Sequence, residues 1–254
     1  MTTRLCYFMP SKHLIETLEK RHLKISRFND CNDVFELGNF RAPQTTNTQR
    51  NRKIRTEIRT WSAETNKKMG LICFSNHHYS PLMWAHYADQ NRGACLVFDY
   101  EEQLGLKLAK VNYTRNRHES QSSEGQNLPS LTSETPLEDL IIHCATKELD
   151  WAYEEEQRLL IFFDEAKTLV KDVGDLKFLN WEGVLTLKEV YLGAKPDCCI
   201  AAIEEVLAKK DSNVKVCQKR AAFRDFRIVE QRDKSRHKAC KDSQDCTCPK
   251  FNPT

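Results

Sequence analysis

The side chains best suited to chemistry fall in four clusters. The first is Trp151-Ala152-Tyr153-Glu154-Glu155-Glu156-Gln157-Arg158, where three adjacent carboxylates repel one another just ahead of an arginine. In an extended chain Glu154, Glu156 and Arg158 point to one face. In a helix Glu154 and Arg158 instead form a surface i, i+4 pair. The apolar run Leu159 to Phe163 that follows favours the extended form. Glu156 beside Arg158 then has two readings. It holds a ribose hydroxyl and stabilises a developing oxocarbenium charge, or it makes an ion pair that only supports the fold. The second cluster is Met83-Trp84-Ala85-His86-Tyr87-Ala88-Asp89. On a helix Trp84 and Tyr87 share one face and His86 and Asp89 another. These residues are either core packing with a satisfied histidine, or an aromatic wall for a flat ring with His86 as donor or base. The third, Asn32-Asp33-Val34-Phe35-Glu36, reads as an Asx-type turn capping the next element, or as a ligand-bearing turn. The fourth is His237, Cys240, Cys246 and Cys248. These four ligands would suffice for zinc but lack the CxxC pair of a standard finger, so an unstructured tail is the main expectation.

The elements that must position these clusters are legible in outline. Leu5 to Met9 and Leu23 to Ser26 read as short strands, and Ser11 caps a helix carrying Leu14, Ile15 and Leu18 to about Lys20. Leu71 to Ser75 is a buried strand. Ser80-Pro81 starts a helix that runs to about Arg92, with Gly93 as its stop. Ala94 to Phe98 reads as a central strand and Val111 to Tyr113 as another. Residues 114–134 form a mobile polar loop or insertion. Thr135-Pro136-Leu137-Glu138 is a capping box opening a helix with Leu140, Ile141 and Cys144, which Trp151 and Tyr153 close. Leu159 to Phe163, Val184 to Leu192, Val214 to Cys217 and Phe226 to Val229 are strands, and Asp197 caps a helix bearing Ile200, Ile203, Val206 and Leu207. Few β-α-β crossovers of regular length occur. This predicts an α+β fold, one domain over residues 1–229 with a central, mostly antiparallel, split sheet flanked by helices. Residues 230–254 then form a polar, cysteine-containing tail.

Composition narrows the function. The chain has 254 residues, 40% hydrophobic and 30% charged, enough for its own core. It has no run of about 18 apolar residues, so no membrane partner is expected. No GxGxxG, P-loop or Gly-x-Ser-x-Gly motif occurs, which disfavours the standard dinucleotide, P-loop and hydrolase folds. The net charge of +3 is too balanced to force a nucleic-acid reading, but it conceals a basic segment. Residues 41–68 hold eight cations against Glu57 and Glu64, a net +6, with Ile54, Ile58 and Trp61 in one stripe. That segment is either a solvated surface helix or a positive rim for a phosphate-bearing ligand, dinucleotide or nucleic acid. The N-terminus lacks an apolar signal region, so a cytoplasmic, reduced protein is expected despite eleven cysteines. Cys73, Cys95, Cys144 and Cys199 read as small buried hydrophobes.

The ordered set of motifs resembles the bacterial domain-of-unknown-function family 2971. It comprises Tyr7-Phe8-Met9-Pro10, Asn32-Asp33-Val34-Phe35-Glu36, Cys73-Phe74-Ser75, Met83 to Ala88, Gly93-x-Cys95-x-x-Phe98-Asp99 and Trp151-x-Tyr153-Glu154-x-Glu156-x-Arg158. The resemblance spans residues 5–229. It departs at Val34, where the family has proline, and at Met9, where many members have arginine. A looser resemblance is to the Arg–Ser–Glu class of ADP-ribosyltransferases. It implies a split sheet that cradles NAD, with Ser75 supporting the cleft, Glu156 as the key carboxylate and Glu154 as its partner. Arg4, or no residue, fills the arginine role. On this reading Glu156, Glu154 and His86 are the catalytic candidates, and Ser75, Trp84, Tyr87, Arg158, Asn32 and Asp33 bind substrate. NAD is a substrate rather than a resident cofactor, and a toxin or phage-defence effector is one role such an enzyme would suit. A nucleic-acid-binding or nuclease-type module and a non-catalytic partner-binding domain are the alternatives.

Overall fold

The computed structural model describes residues 3–38, 40–41, 46–119, 128, 130–209 and 213–238. The strands are β1 (Thr3–Met9), β2 (His22–Ile25), β3 (Phe40–Arg41), β4 (Met69–Ser75), β5 (Ala94–Tyr100), β6 (Leu106–Lys110), β7 (Asn112–Thr114), β8 (His118–Glu119), β9 (Thr146–Glu148), β10 (Glu156–Phe162), β11 (Val170–Val173), β12 (Leu176–Asn180), β13 (Leu185–Leu192), β14 (Lys215–Ala221) and β15 (Ile228–Glu230). The helices are α1 (Leu14–Lys20), α2 (Thr48–Lys68), α3 (Pro81–Tyr87), α4 (Leu137–Cys144) and α5 (Ile200–Leu207).

Eight strands form one sheet in the order β15-β14-β13-β5-β1-β4-β10-β6. Every neighbouring pair is antiparallel except β13 with β14. The expected α+β, mostly antiparallel sheet is therefore present. Side chains alternate across it, as strand geometry requires. Leu5 and Met9 of β1, and Leu159 and Ile161 of β10, face a cluster that includes Leu14, Ile15 and Leu18 of α1 and Ala202, Ile203, Val206 and Leu207 of α5. The opposite face carries two separate clusters. Leu160 and Phe162 pack with Leu140 and Cys144 of α4, while Cys6, Phe8, Cys95 and Val97 pack with Met83 and Trp84 of α3. With both faces covered, β5 is apolar without alternation over Ala94–Phe98.

The sheet is weakest between β1 and β4. These strands share a single registered pair, Cys6 with Ser75. By contrast β1 pairs with β5 over seven residues, and β4 pairs with β10 over seven. The parting of β1 from β4 is the split that opens the cavity described below.

Several local expectations change. The helix from Pro81 stops at Tyr87 rather than near Arg92, because Asp89, Gln90 and Asn91 adopt left-handed backbone. Gly93 is required for a different reason: a Cβ there would lie 2.1 Å from the Met9 carbonyl oxygen, so β5 can approach β1 only without one. The helix from Leu137 ends at Cys144, and Trp151 and Tyr153 belong to a separate 3-10 turn, Leu149–Glu154. Thr135 does not cap it; its hydroxyl accepts from the Thr132 N–H. Nor do Ser11 and Asp197 cap helices: the Ser11 hydroxyl donates to Asp197, tying the start of α1 to the entry of α5. Within the polar 114–134 segment Leu131 is buried with α4, and β8 pairs with β3, so the described part is anchored. The presumed tail also begins later, since β15 includes Glu230, and Gln231 and Lys238 bond to Gln218. Cys199 is buried as expected but disulfide-bonded, which corrects the expectation of a fully reduced protein, and Cys73 is exposed rather than buried. No helix among the described residues is long and apolar enough to cross a membrane.

Candidate active site

At the parting of β1 and β4 lies a cavity of about 280 Å³. β1 lends Cys6, Tyr7 and Phe8; β4 lends Ile72 to Ser75; β10 lends Glu156. The remaining wall includes Lys24, Asp30, Asn32, Glu36, Tyr87, Lys147 and Glu154. Four carboxylates therefore face two ammonium groups, and the aromatic rings of Tyr7, Phe8, Phe74 and Tyr87 fill much of the rest. Such a cavity prefers a cationic, flat ligand group.

The Trp-x-Tyr-Glu-x-Glu-x-Arg motif builds the charged end. The 3-10 turn closes on Glu154, Glu155 takes a left-handed conformation (φ 42°), and β10 begins at Glu156. The expected fully extended form is thus realised for Glu156 and Arg158 only. The turn nonetheless brings both carboxylates to one ammonium: Lys147 Nζ lies 2.6 Å from Glu154 Oε2 and 3.1 Å from Glu156 Oε2. The Tyr113 hydroxyl accepts the Glu156 N–H at 2.9 Å and fixes the start of the strand. Arg158 is 0% exposed. Its Nε donates to Glu156 at 2.9 Å, its two terminal nitrogens grip Glu36 at 2.5 and 2.7 Å, and one also reaches the Cys144 carbonyl at 2.7 Å.

The two glutamates are pushed apart in acidity. Burial raises Glu156, but Arg158 and Lys147 outweigh it and hold the carboxyl down at about 2. For Glu154 burial wins over Lys147 and Tyr87, and its pKa is raised. Burial lowers Lys147, but Glu156 and Glu154 reverse this and keep it charged. The Tyr87 hydroxyl donates to Glu154 and accepts from Asn32 Nδ2 at 2.6 Å. Burial and then Glu154 push Tyr87 upward, so it remains a donor. A dissociated carboxylate beside one with raised proton affinity is the pattern by which enzymes separate electrostatic stabiliser from acid or base.

The structure thus brings Glu154, Glu156, Ser75, Tyr87 and Asn32 to one cavity. It does not bring the others. Trp84 is 0% exposed and edge-on to Phe8, with its indole N–H donated to the His78 carbonyl at 2.6 Å; it is core, not a pocket wall. His86 lies on the exposed side of α3 and lines no described cavity, because the short helix turns that residue away from β1. Arg158 is saturated by protein partners and holds Glu156 from behind. Asp33 accepts the Phe35 N–H at 2.9 Å, as an Asx turn does, and belongs with Phe35, Trp151 and Tyr153 to a neighbouring depression that shares Asn32 with the main cavity. Of the tail cluster only His237 is described, hydrogen-bonded to the Gln231 carbonyl; Cys240, Cys246 and Cys248 lie outside the described residues. No cluster of three or more metal-binding side chains occurs among the described residues. Most of the basic segment forms α2, capped by Asn47, and none of its described residues lines the cavity.

Sequence reasoning missed Lys147, Glu36 and Tyr113. Lys147 had no signal, since a lysine between a short helix and a turn reads as surface. Glu36 was inside a motif singled out for its Asn-Asp pair, and its value comes from Arg158, 122 positions away.

Residues 83–159 match the model of a family described as protein of unknown function (DUF2971). That region runs from α3 into β10 and holds Tyr87, Lys147, Glu154 and Glu156. No curated protein and no solved structure matches the chain.

Proposed function

We propose that the cavity binds the cationic nicotinamide–ribose end of NAD, or of a related nucleotide, and promotes cleavage of its N-glycosidic bond. The observation that carries this reading is the pair Glu156 and Glu154, one held dissociated and one raised, on an aromatic cavity with an excess of carboxylates. The volume, about 280 Å³, lies just under the usual range for small-molecule pockets and suits one base with its sugar. The C1′–nitrogen bond breaks with its electron pair leaving on the pyridine nitrogen. Water adds to C1′, and the proton it releases passes to Glu154. Glu156 faces the positive charge that develops on the ribose, where a preorganised anion lowers the barrier. Tyr87 and Lys147 hold Glu154 in place throughout. In a transferase variant of the same step an acceptor nucleophile replaces water. A toxin or defence role would rest on this consumption of NAD.

The test is nicotinamide release from NAD by the full chain, followed chromatographically. Glu156→Gln is expected to slow release at least 100-fold while circular dichroism stays unchanged. Release by this variant at the parental rate, or neither release nor calorimetric binding of NAD by the parent, overturns the proposal. A second reading, a receptor pocket without turnover, draws support from the complete burial of Trp84 and Arg158, which gives those motif residues a purely structural duty. NAD binding without nicotinamide release selects it.

A further inference from the structure

A second site lies beyond α3, independent of the cavity above. Lys219 on β14 is 2% exposed. Its ammonium sits 3.2 Å from the centroid of the Tyr191 ring. Among the described residues no carboxylate lies within ion-pairing distance of it and no acceptor takes its hydrogens. Of the nearby carboxylates, Glu230 binds Lys215 at 2.8 Å, and Glu189 binds Arg4 through one oxygen while its other oxygen is buried without a hydrogen bond. Glu230 and Glu189 act on Lys219 without a contact ion pair, and an aromatic face offsets only part of the cost of burying a cation.

Lys219 also lines a surface cavity of about 300 Å³, together with His78, Tyr79, Tyr191, Arg227 and Glu230. Arg227 lies over the Tyr79 ring at 4.5 Å, so its guanidinium is positioned without being consumed by a carboxylate. Burial and then Lys219 lower His78 to about 4, so the imidazole is neutral and adds no charge. Burial lowers Lys219 as well, against the opposing pull of Cys217, Cys95, Glu230 and Glu189. The rings of Tyr79 and Tyr191 are covered by Arg227 and Lys219 respectively, which leaves the two cations as the recognition groups.

We infer that this cavity is an anion site, in which Lys219 and Arg227 together bind a small oxyanion, a phosphate monoester or a carboxylate. The two groups differ in what they contribute. Lys219 supplies a desolvated point charge from the floor, and Arg227 a planar fork of donors from the rim. The ligand completes the ion pairing that the fold leaves open.

The experiment is isothermal calorimetry of the full chain at low salt, with inorganic phosphate in one arm and acetate in the other. Saturable binding of at least one anion is expected, weakened at least tenfold in both Lys219→Met and Arg227→Gln. The arm that binds more tightly distinguishes phosphate from carboxylate. Lys219→Met retains the stem over Tyr191. Should it nevertheless fail to fold, Arg227→Gln, at an exposed position, still decides the matter. Equal affinity in parent and Arg227→Gln, or no saturable binding of either anion, overturns the inference. Nicotinamide release from NAD is expected to be unaffected by Arg227→Gln, so failure at this site is separable from failure at the other.

Discussion

Replacing Arg158 by methionine should be among the most damaging single changes outside the backbone. The guanidinium makes five hydrogen bonds: two to Glu36, two to Glu156 and one to the Cys144 carbonyl. Methionine preserves most of the apolar stem, so the loss is chiefly electrostatic. Glu156 keeps Lys147 at 3.1 Å, but Glu36, with a side chain 4% exposed, loses the only ion-pair partner shown for it. Removing one member of a buried pair costs about 3–5 kcal/mol. For a chain of this size that is a fall in Tm of roughly 6–20 °C. The pH dependence has a definite sign. Burial already outweighs Arg158 and raises Glu36 in the parent, and without Arg158 its pKa must rise further. A carboxyl with a folded pKa above its unfolded one loses stability as pH climbs from the unfolded value through the folded value. The deficit should therefore be smaller at pH 5 than at pH 8, where Glu36 must either stay charged and unpaired or take up a proton. The assay is thermal unfolding by circular dichroism at both pH values. Arg158→Met/Glu36→Met should recover part of the loss by removing the orphaned charge. A Tm within about 2 °C of the parent at both pH values would refute the reasoning, as would a deficit that grows toward acid.

Other perturbations read different parts of the molecule. Acid titration of the parent should show stability lost as pH falls from the ordinary glutamate range, about 4.3, toward about 2, because Glu156 is depressed and is protonated only there; a flat profile over that window in chemical denaturation would contradict the Glu156 network. Gly93→Ala must displace β5 from the Met9 carbonyl and should cost about 3 kcal/mol or more, read as a lower denaturation midpoint. Asn47→Ala removes the cap whose side chain accepts from the Gln49 and Arg50 N–H groups at 3.0 Å each, and should cost about 1 kcal/mol, visible as fraying of α2 in hydrogen exchange. His86→Ala should leave nicotinamide release within about twofold of the parent; a hundredfold loss would place the exposed histidine in the reaction after all.

The sequence by itself determined the principal strands and the class of sheet. Apolar runs such as Ala94–Phe98 and Leu159–Phe162 have little alternative but burial in a sheet covered on both sides. It also marked Glu154 and Glu156 as crowded carboxylates beside an apolar strand that must be compensated or used, Tyr87 as an aromatic helix face and Asn32 as a turn residue, whereas Ser75 entered only through a resemblance. Local capping signals were less reliable. Ser11, Asp197 and Thr135 each found another partner, since a hydroxyl or carboxylate near a helix start serves whichever donor or acceptor the packing brings close. The division of labour within the motifs came only from the tertiary structure. Trp84 is core and His86 is outside because α3 is short and pressed on β1. Arg158 is a support because Glu36 arrives from a loop far away in sequence. Lys147, which ties the two glutamates together, and the lone ammonium of Lys219 were invisible for the same reason. The acidity and availability of a charged group are set by what surrounds it in space, and sequence order does not list those neighbours.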